Sequence, residues 1–270
     1  MSALNHLLII GCGNMAGAML AGWLAAGIAP QRFSILSRSL EEAPVGIPLY
    51  RTVAEAQAAH QHDAVMLGFK PQQLTSFSPD YQELTSGGVT VYSLLAGITI
   101  EQLQVAFPKA RAHVRVMPNL ASRVNKSPII LTEAGLAEDE HSAAFAFYDA
   151  LGTAVWLEDE AKYDLVTALA GSGPGFVYRF IDGLAQAAQR LGLDEEQADS
   201  LALAMVHGAS ELAARADVSP GTLADQVASP GGMTREGLNV LDADDTLIEL
   251  LTETLKATAD RGAVLSSGNK

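Results

Sequence analysis

The sequence predicts an α/β chain in two parts, a doubly wound, mainly parallel sheet followed by an all-helical segment. Three observations predict this. Short apolar runs alternate with helical stretches over the first 157 residues. A glycine-rich loop stands where the first run meets the first helix. Beyond Glu158 the strand-like runs stop and alanine-rich helical spacing takes over.

Residues 7–10, Leu-Leu-Ile-Ile, form a continuous apolar run of the kind buried on both faces of a parallel sheet. Residues 14–26 are apolar at helical spacing, with Gly27 as the stop. Further strands are expected at 33–38, 64–68, 89–94 and 111–117, and two more at 129–132 and 154–157. Helical stretches at 52–59, 72–76, 99–106 and 139–151 separate them. Such alternation implies right-handed βαβ units.

The second part reads as helices throughout. Residues 163–191 predict one long helix, kinked near Gly171-Ser172-Gly173-Pro174-Gly175 because proline lacks an amide donor. Asp194 caps the next helix, with Gln197 at the reciprocal capping-box position, and this helix runs to about Ala216. Ser219-Pro220 opens a short helix, residues 234–241 a further one, and a last helix starts near Asp244 or Asp245 and runs to about Leu265. The expected domains are therefore 1–157, binding a dinucleotide, and 158–270, all-helical. Helices at 183–188 and 202–214 are apolar on more than one face, which predicts burial against a second copy of the chain.

The chain has 270 residues, 49% of them hydrophobic and 18% charged, a globular composition with enough length for two cores. Its formal charge of −14 argues against nucleic acid or an anionic membrane as a primary partner. The single cysteine, Cys12, excludes an intramolecular disulfide and reads as small and buried rather than reactive. No metal-ligand spacing is present; His60 and His62 beside Asp63 read as a solvated loop. The start of the chain has neither a charged leader nor a cleavage site, and no apolar run has the length of a membrane span, so a cytoplasmic protein is expected.

Gly11-Cys12-Gly13-Asn14-Met15-Ala16 fits G-x-G-x-x-A at the first strand–helix junction. Gly11 permits the tight turn, Gly13 lets the backbone approach a pyrophosphate, and the small Ala16 packs helix on strand. This is the fingerprint of a Rossmann-like nucleotide-binding fold. At the end of the second strand an acidic residue would bind a ribose 2′-hydroxyl; Ser37-Arg38-Ser39 stands there instead. A guanidinium and two hydroxyls suit a 2′-phosphate, so NADP(H) is the expected cofactor, with NAD(H) open as a second. Phe69-Lys70-Pro71, Ala96-Gly97 and Met117-Pro118-Asn119 end other strands on the same sheet edge, where open α/β sheets bind ligands, although each alone is equally an ordinary loop. Near the C-terminus, Ser229-Pro230-Gly231-Gly232-Met233-Thr234 joins two glycines, a hydroxyl and a helix start, a combination that suits a carboxylate.

These segments resemble the pyrroline-5-carboxylate reductase family over nearly the whole chain. The matching residues are Asn14-Met15-Ala16, Lys70-Pro71-Gln72, Ala96-Gly97, Val116-Met117-Pro118-Asn119, Thr167-Ala168-Leu169 with Gly171-Ser172-Gly173-Pro174, and Ser229-Pro230-Gly231-Gly232 with Thr234. The resemblance implies reduction of 1-pyrroline-5-carboxylate to L-proline by NAD(P)H, the last step of proline biosynthesis. It also implies an active site between a cofactor domain and helices of a homodimer, with dimers that often form rings. Substrate binding is then expected at Ser229, Gly231, Gly232 and Thr234, with Thr234 catalytic. Departures from the family pattern are Leu120-Ala121 for Thr-Pro, Gly175-Phe176 for Ala-Tyr, Met233 for Thr or Ala, and Asn125-Lys126 in a region usually richer in glycine. The alternatives are another NADP-dependent imine or β-hydroxyacid-type reductase, for which Lys162 near the start of the long helix is the only candidate lysine and reads better as a solvated charge, and a nucleotide-binding regulator without turnover.

Overall fold

The computed structural model describes residues 4–59 and 62–268; His60 lies outside them. Eight strands form one sheet in the order β3-β2-β1-β4-β5-β6-β7-β8. They are β1 (Leu7–Ile10), β2 (Phe33–Leu36), β3 (Leu49–Tyr50), β4 (Ala64–Leu67), β5 (Thr90–Ser93), β6 (Ala112–Met117), β7 (Ser127–Ala134) and β8 (Gly152–Trp156). All neighbours pair in parallel except β6 and β7, which run antiparallel with Arg115 opposite Thr132. The expectation of a mainly parallel sheet holds. The two-residue β3 was not expected, because a run that short carries no alternation to read.

Side chains alternate across β1, so its four apolar residues feed two cores. Leu7 and Ile9 join α1 (Asn14–Ala25) and α5 (Glu138–Asp149) on one face, through Met19, Trp23, Phe147 and Tyr148. Leu8 and Ile10 join α2 (Val53–Ala59), α3 (Leu74–Tyr81) and α4 (Ile100–Ala106) on the other, through Ala56, Leu74, Tyr81 and Leu103. Helices on both faces make the sheet doubly wound. Trp23, fully buried, satisfies its indole by donating to the Phe147 carbonyl at 2.9 Å.

The predicted kink in residues 163–191 is a change of helix type. After α6 (Tyr163–Val166), a π turn spans Thr167–Gly171, where the Ser172 N–H reaches back five residues to the Thr167 carbonyl at 3.0 Å. Helix α7 (Gly173–Arg190) then begins with Pro174 in its first turn, where the missing N–H is harmless. The remaining helices are α8 (Glu195–Arg215), α9 (Pro220–Val227), α10 (Met233–Asp242) and α11 (Thr246–Gly268). The Asp194 carboxylate caps α8, accepting from the N–H groups of Glu196 and Gln197. Asp244 and Asp245 precede α11 with positive φ, so the last helix starts just beyond both.

Two compact units result: Met1–Ser172 together with Thr258–Lys270, and Gly173–Ala257. The sheet ends at Trp156, while the first unit continues through α6 and the π turn. In the second unit α7 packs on α8 through a small cluster, Ala185, Ala198 and Ala202. Large apolar side chains of these helices stay exposed within the chain, among them Phe180, Leu201, Leu203 and Leu212. No helix among the described residues is long and apolar enough to cross a membrane.

Asn125 shows how one departure from the expected pattern is accommodated. It adopts the left-handed conformation, φ 55°, which asparagine tolerates better than most side chains. Its amide donates to the Gly22 carbonyl at 2.9 Å and to the Ala150 carbonyl at 2.7 Å, tying the loop after β6 to α1 and α5. Asn125→Ala should lower unfolding stability by about 1–3 kcal/mol, and Asn125→Gly, which keeps the backbone but not the amide, should recover only part of it. Denaturant unfolding of the three proteins checks this; an unaltered midpoint for the alanine variant would sink it.

Candidate dinucleotide cleft and substrate turn

A cleft of about 820 Å³ opens at the C-terminal ends of β1, β2, β4 and β5. It lies where the chain leaves β1 for one face of the sheet and β4 for the other, the switch point at which doubly wound folds bind nucleotides. Of the residues expected to hold cofactor, Gly11, Gly13, Asn14, Met15, Ser37, Arg38, Phe69, Lys70, Pro71 and Ala96 line it. Ala16 is buried beneath the loop, as a packing residue should be. Gly97 and Asn119 lie outside the lining. Asn119 is buried and engaged, accepting from the Ala121 N–H at 2.9 Å and donating to the Ala170 carbonyl at 2.9 Å.

The floor is set by backbone contact. Gly11 has φ +84°, and a Cβ on Gly68 would sit 2.2 Å from the Gly11 carbonyl oxygen. Gly13 is the N-cap of α1 with no side-chain cap, and a Cβ there would meet nothing within 4 Å. The first N–H groups of α1 therefore face open space at the positive end of a helix, a cradle for phosphate. Arg38 and Lys70, both exposed, belong to no ion pair among the described residues, so they present uncompensated positive charge in a strongly acidic chain. The Ser37 hydroxyl accepts from the Leu40 N–H at 3.1 Å and keeps its own proton to donate. These residues fit a dinucleotide whose phosphates carry several negative charges.

Of the other wall, sequence reasoning found Phe69 but missed the rest. Phe69, Phe77 and Tyr81 form an aromatic cluster with centroids 5.4 to 6.0 Å apart, and all three line the cleft. Burial pushes the Tyr81 phenol up, with nearby Arg38 pulling the other way. Phe77 and Tyr81 escaped notice because Pro79, which reads as a break, lies inside α3. Arg51 was missed too; no motif marks it. Cys12, expected to be buried, is half-buried and lines the cleft, and its partial burial raises the thiol and favours the protonated form. Leu120, one of the family departures, stands in the lining and is exposed.

In the second unit, Ser229-Pro230-Gly231-Gly232 forms a β-turn closed by the Gly232 N–H donating to the Ser229 carbonyl at 2.9 Å. Proline at the second position and Gly231 at the third, φ +69°, are the residues a type II turn requires. The Gly232 amide is thus committed to the turn. A side chain at Gly232 would also come within 2.5 Å of the Ser229 hydroxyl. Gly232 is the N-cap of α10, again without a side-chain cap, and exposed Thr234 is the second residue of that helix. Its hydroxyl is not spent on capping. Arg235 ties the turn to α9 by a 2.8 Å ion pair with Asp225.

Lys162 is an exposed charge 3.8 Å from Asp159. His62 is not solvated but half-buried, its Nε2 2.9 Å from the Leu84 carbonyl, and Asp63 accepts from the backbone N–H groups of Asn5 and His6. No cluster of metal-ligating side chains occurs among the described residues.

A mainly parallel sheet in this order, with a glycine cradle and unpaired cations at its switch point, defines a dinucleotide-binding protein. Comparison with known proteins gives the particular family. Residues 160–265 match the model described as pyrroline-5-carboxylate reductase dimerisation, and residues 6–97 that of NADP oxidoreductase, coenzyme F420-dependent. Pyrroline-5-carboxylate reductase 2 of Bacillus subtilis is 34% identical over 262 residues, 93% of each chain. The solved structure of a pyrroline-5-carboxylate reductase from Coxiella burnetii superposes with a TM-score of 0.89 at 30% identity, covering 97% of this chain and 99% of that one. A Plasmodium falciparum pyrroline carboxylate reductase solved with NADP bound shares the fold, with a TM-score of 0.82 at 21% identity over 98% of this chain and 100% of that one. The chain belongs to the pyrroline-5-carboxylate reductase family of NAD(P)H-dependent oxidoreductases.

Gly68→Ala should push the Gly11 loop off β4 and weaken NADPH binding by about tenfold or more, since the clash is with backbone. Fluorescence titration of the variant measures it. Wild-type affinity would mean the two strand ends can separate at no cost to the cradle.

Proposed function

We propose that the chain reduces 1-pyrroline-5-carboxylate to L-proline with NADPH as preferred cofactor, and that Arg38, Ser37 and Ser39 create that preference. The single observation that carries the cofactor reading is an unpaired guanidinium at the end of β2, where a ribose-binding carboxylate would otherwise stand. Gly11, Gly13, Asn14 and Met15 hold the pyrophosphate against the start of α1, and Lys70 adds charge at the rim. Phe69, Pro71 and Ala96 complete the walls. Gly97 and Asn119 lie outside the lining.

The substrate carboxylate binds at the start of α10. The N–H groups of Gly231, Met233 and Thr234 are the donors, because that of Gly232 closes the turn. Helix-start electrostatics contribute about 0.3–1 kcal/mol on an exposed surface. Ser229 supplies a further hydroxyl. The bound nicotinamide provides the hydride that reduces the carbon of the C=N bond. Thr234 hydrogen-bonds the ring nitrogen and orients it; the nitrogen enters already protonated or takes a proton from water, since a threonine hydroxyl is itself a poor acid.

We also assign residues 158–270 to a homodimer. The helices expose Phe180, Leu201, Leu203 and Leu212 while burying a core of little more than alanines, and a second copy would cover them.

These roles set the kinetics of two variants. Arg38→Ala should lower the NADPH/NADH ratio of kcat/KM by about tenfold or more, a charge-assisted contact being lost; an unchanged ratio removes Arg38 from cofactor choice. Thr234→Ala should lose roughly 10- to 100-fold in kcat/KM for pyrroline-5-carboxylate, about 1.5–3 kcal/mol. Wild-type kinetics for that variant would take Thr234 out of the mechanism.

A further inference from the structure

Choice of a 2′-phosphate needs Arg38 held on a loop of defined shape. Arg38 is exposed and its side chain makes no ion pair among the described residues, so it does not hold the loop itself. Arg51 does. Its Nη1 donates to the Ser37 carbonyl at 3.1 Å and also to the Leu40 carbonyl, and its Nη2 donates to the Glu41 carbonyl at 2.8 Å. Three carbonyls of the loop that carries Ser37, Arg38 and Ser39 converge on one guanidinium.

Arg51 is in turn well anchored. It follows β3, whose Tyr50 carbonyl accepts from the Ser37 N–H at 3.0 Å. Its own N–H donates to the Glu55 carboxylate at 2.7 Å, and the Glu55 N–H donates to the Thr52 hydroxyl at 3.2 Å, pinning the start of α2. The fork thus links a fixed strand and helix junction to a loop with no regular structure of its own.

We propose that Arg51 is the positioning residue for 2′-phosphate selectivity: by bridging the carbonyls of Ser37, Leu40 and Glu41 it fixes the loop that presents Arg38 and its flanking hydroxyls to the cofactor. The proposal rests on the reading of Arg38 as the 2′-phosphate ligand. The chemistry requires arginine. A planar guanidinium offers five N–H donors in a rigid fork and serves several acceptors at once, whereas a lysine ammonium is a compact point charge on a flexible stem. Held loops bind better because the ordering cost is met before the ligand arrives. Arg51 lines the same cleft, so the effect is delivered where the cofactor sits.

The test uses the full chain and two competitive inhibitors against NADPH, adenosine 2′,5′-bisphosphate and 5′-AMP. The ratio of their inhibition constants isolates the 2′-phosphate. Arg38→Ala is the reference and should abolish most of the bisphosphate's advantage. Arg51→Gln and Arg51→Lys should each cut that advantage by about tenfold, the worth of a charge-assisted contact, while shifting 5′-AMP by less than about threefold. Loss in the lysine variant separates a fork that shapes the loop from a charge that merely attracts phosphate. A wild-type ratio in Arg51→Lys overturns the proposal, as does an equal weakening of both inhibitors, which would mark a general defect of the site. If Arg38→Ala collapses the ratio and the Arg51 variants do not, positioning alone fails. If Arg38→Ala leaves it intact, the cofactor reading fails and Arg51 has no phosphate ligand to position.

Discussion

The close approach of two strand ends governs this molecule. Gly68, just past β4, lies so near Gly11, just past β1, that a single methyl group on it would overlap the Gly11 carbonyl at 2.2 Å. The Gly68 N–H bonds the Ile10 carbonyl at 2.8 Å, so the two strands stay zipped to their last peptide and then part to opposite faces of the sheet. A cleft must open where they part. Its floor is bare backbone, its one side the uncapped start of α1, and its far walls the loops after β2 and β4. The binding site is a consequence of topology before any side chain is considered.

Side chains then give the cleft its sign. A chain of formal charge −14 repels a dinucleotide at long range. Locally it leaves Arg38 and Lys70 without acidic partners among the described residues while pairing Arg111, Arg115, Arg179, Arg215 and Arg235 elsewhere. Arg115 is the structural counterpart of these free cations. Buried, it donates to Glu160 at 2.7 Å and lies 3.5 Å over the Tyr163 ring, joining β6 to the beginning of α6. Position in the fold, not residue type, decides which arginine is spent on architecture and which remains for a ligand.

The helical unit follows another logic. Alanines at Ala185, Ala198 and Ala202 let α7 and α8 approach closely but bury little apolar surface. Such a core is too small for helices carrying so many exposed leucines and valines. The match of residues 160–265 to a dimerisation model agrees with that shortfall. Within this unit the turn before α10 is a separate device, a type II turn that aims uncapped N–H groups outward and leaves the Thr234 hydroxyl uncommitted.

Much of this was legible in local pattern. The seven longer strands, the glycine fingerprint, the acid-to-arginine change after β2, the Asp194 cap and the Pro-Gly-Gly turn all depend on residues within a few positions of one another, and physics at that range is written directly in the sequence. Long-range pairing was not. That Asn119 would spend its amide on Ala170, that β7 would turn antiparallel, that Phe77 and Tyr81 on either side of a proline would wall the cleft, and that Arg51 would brace a loop ten to fourteen residues upstream were settled only by tertiary contact. Such contacts depend on which groups folding brings within hydrogen-bond or van der Waals reach, and no local periodicity encodes that.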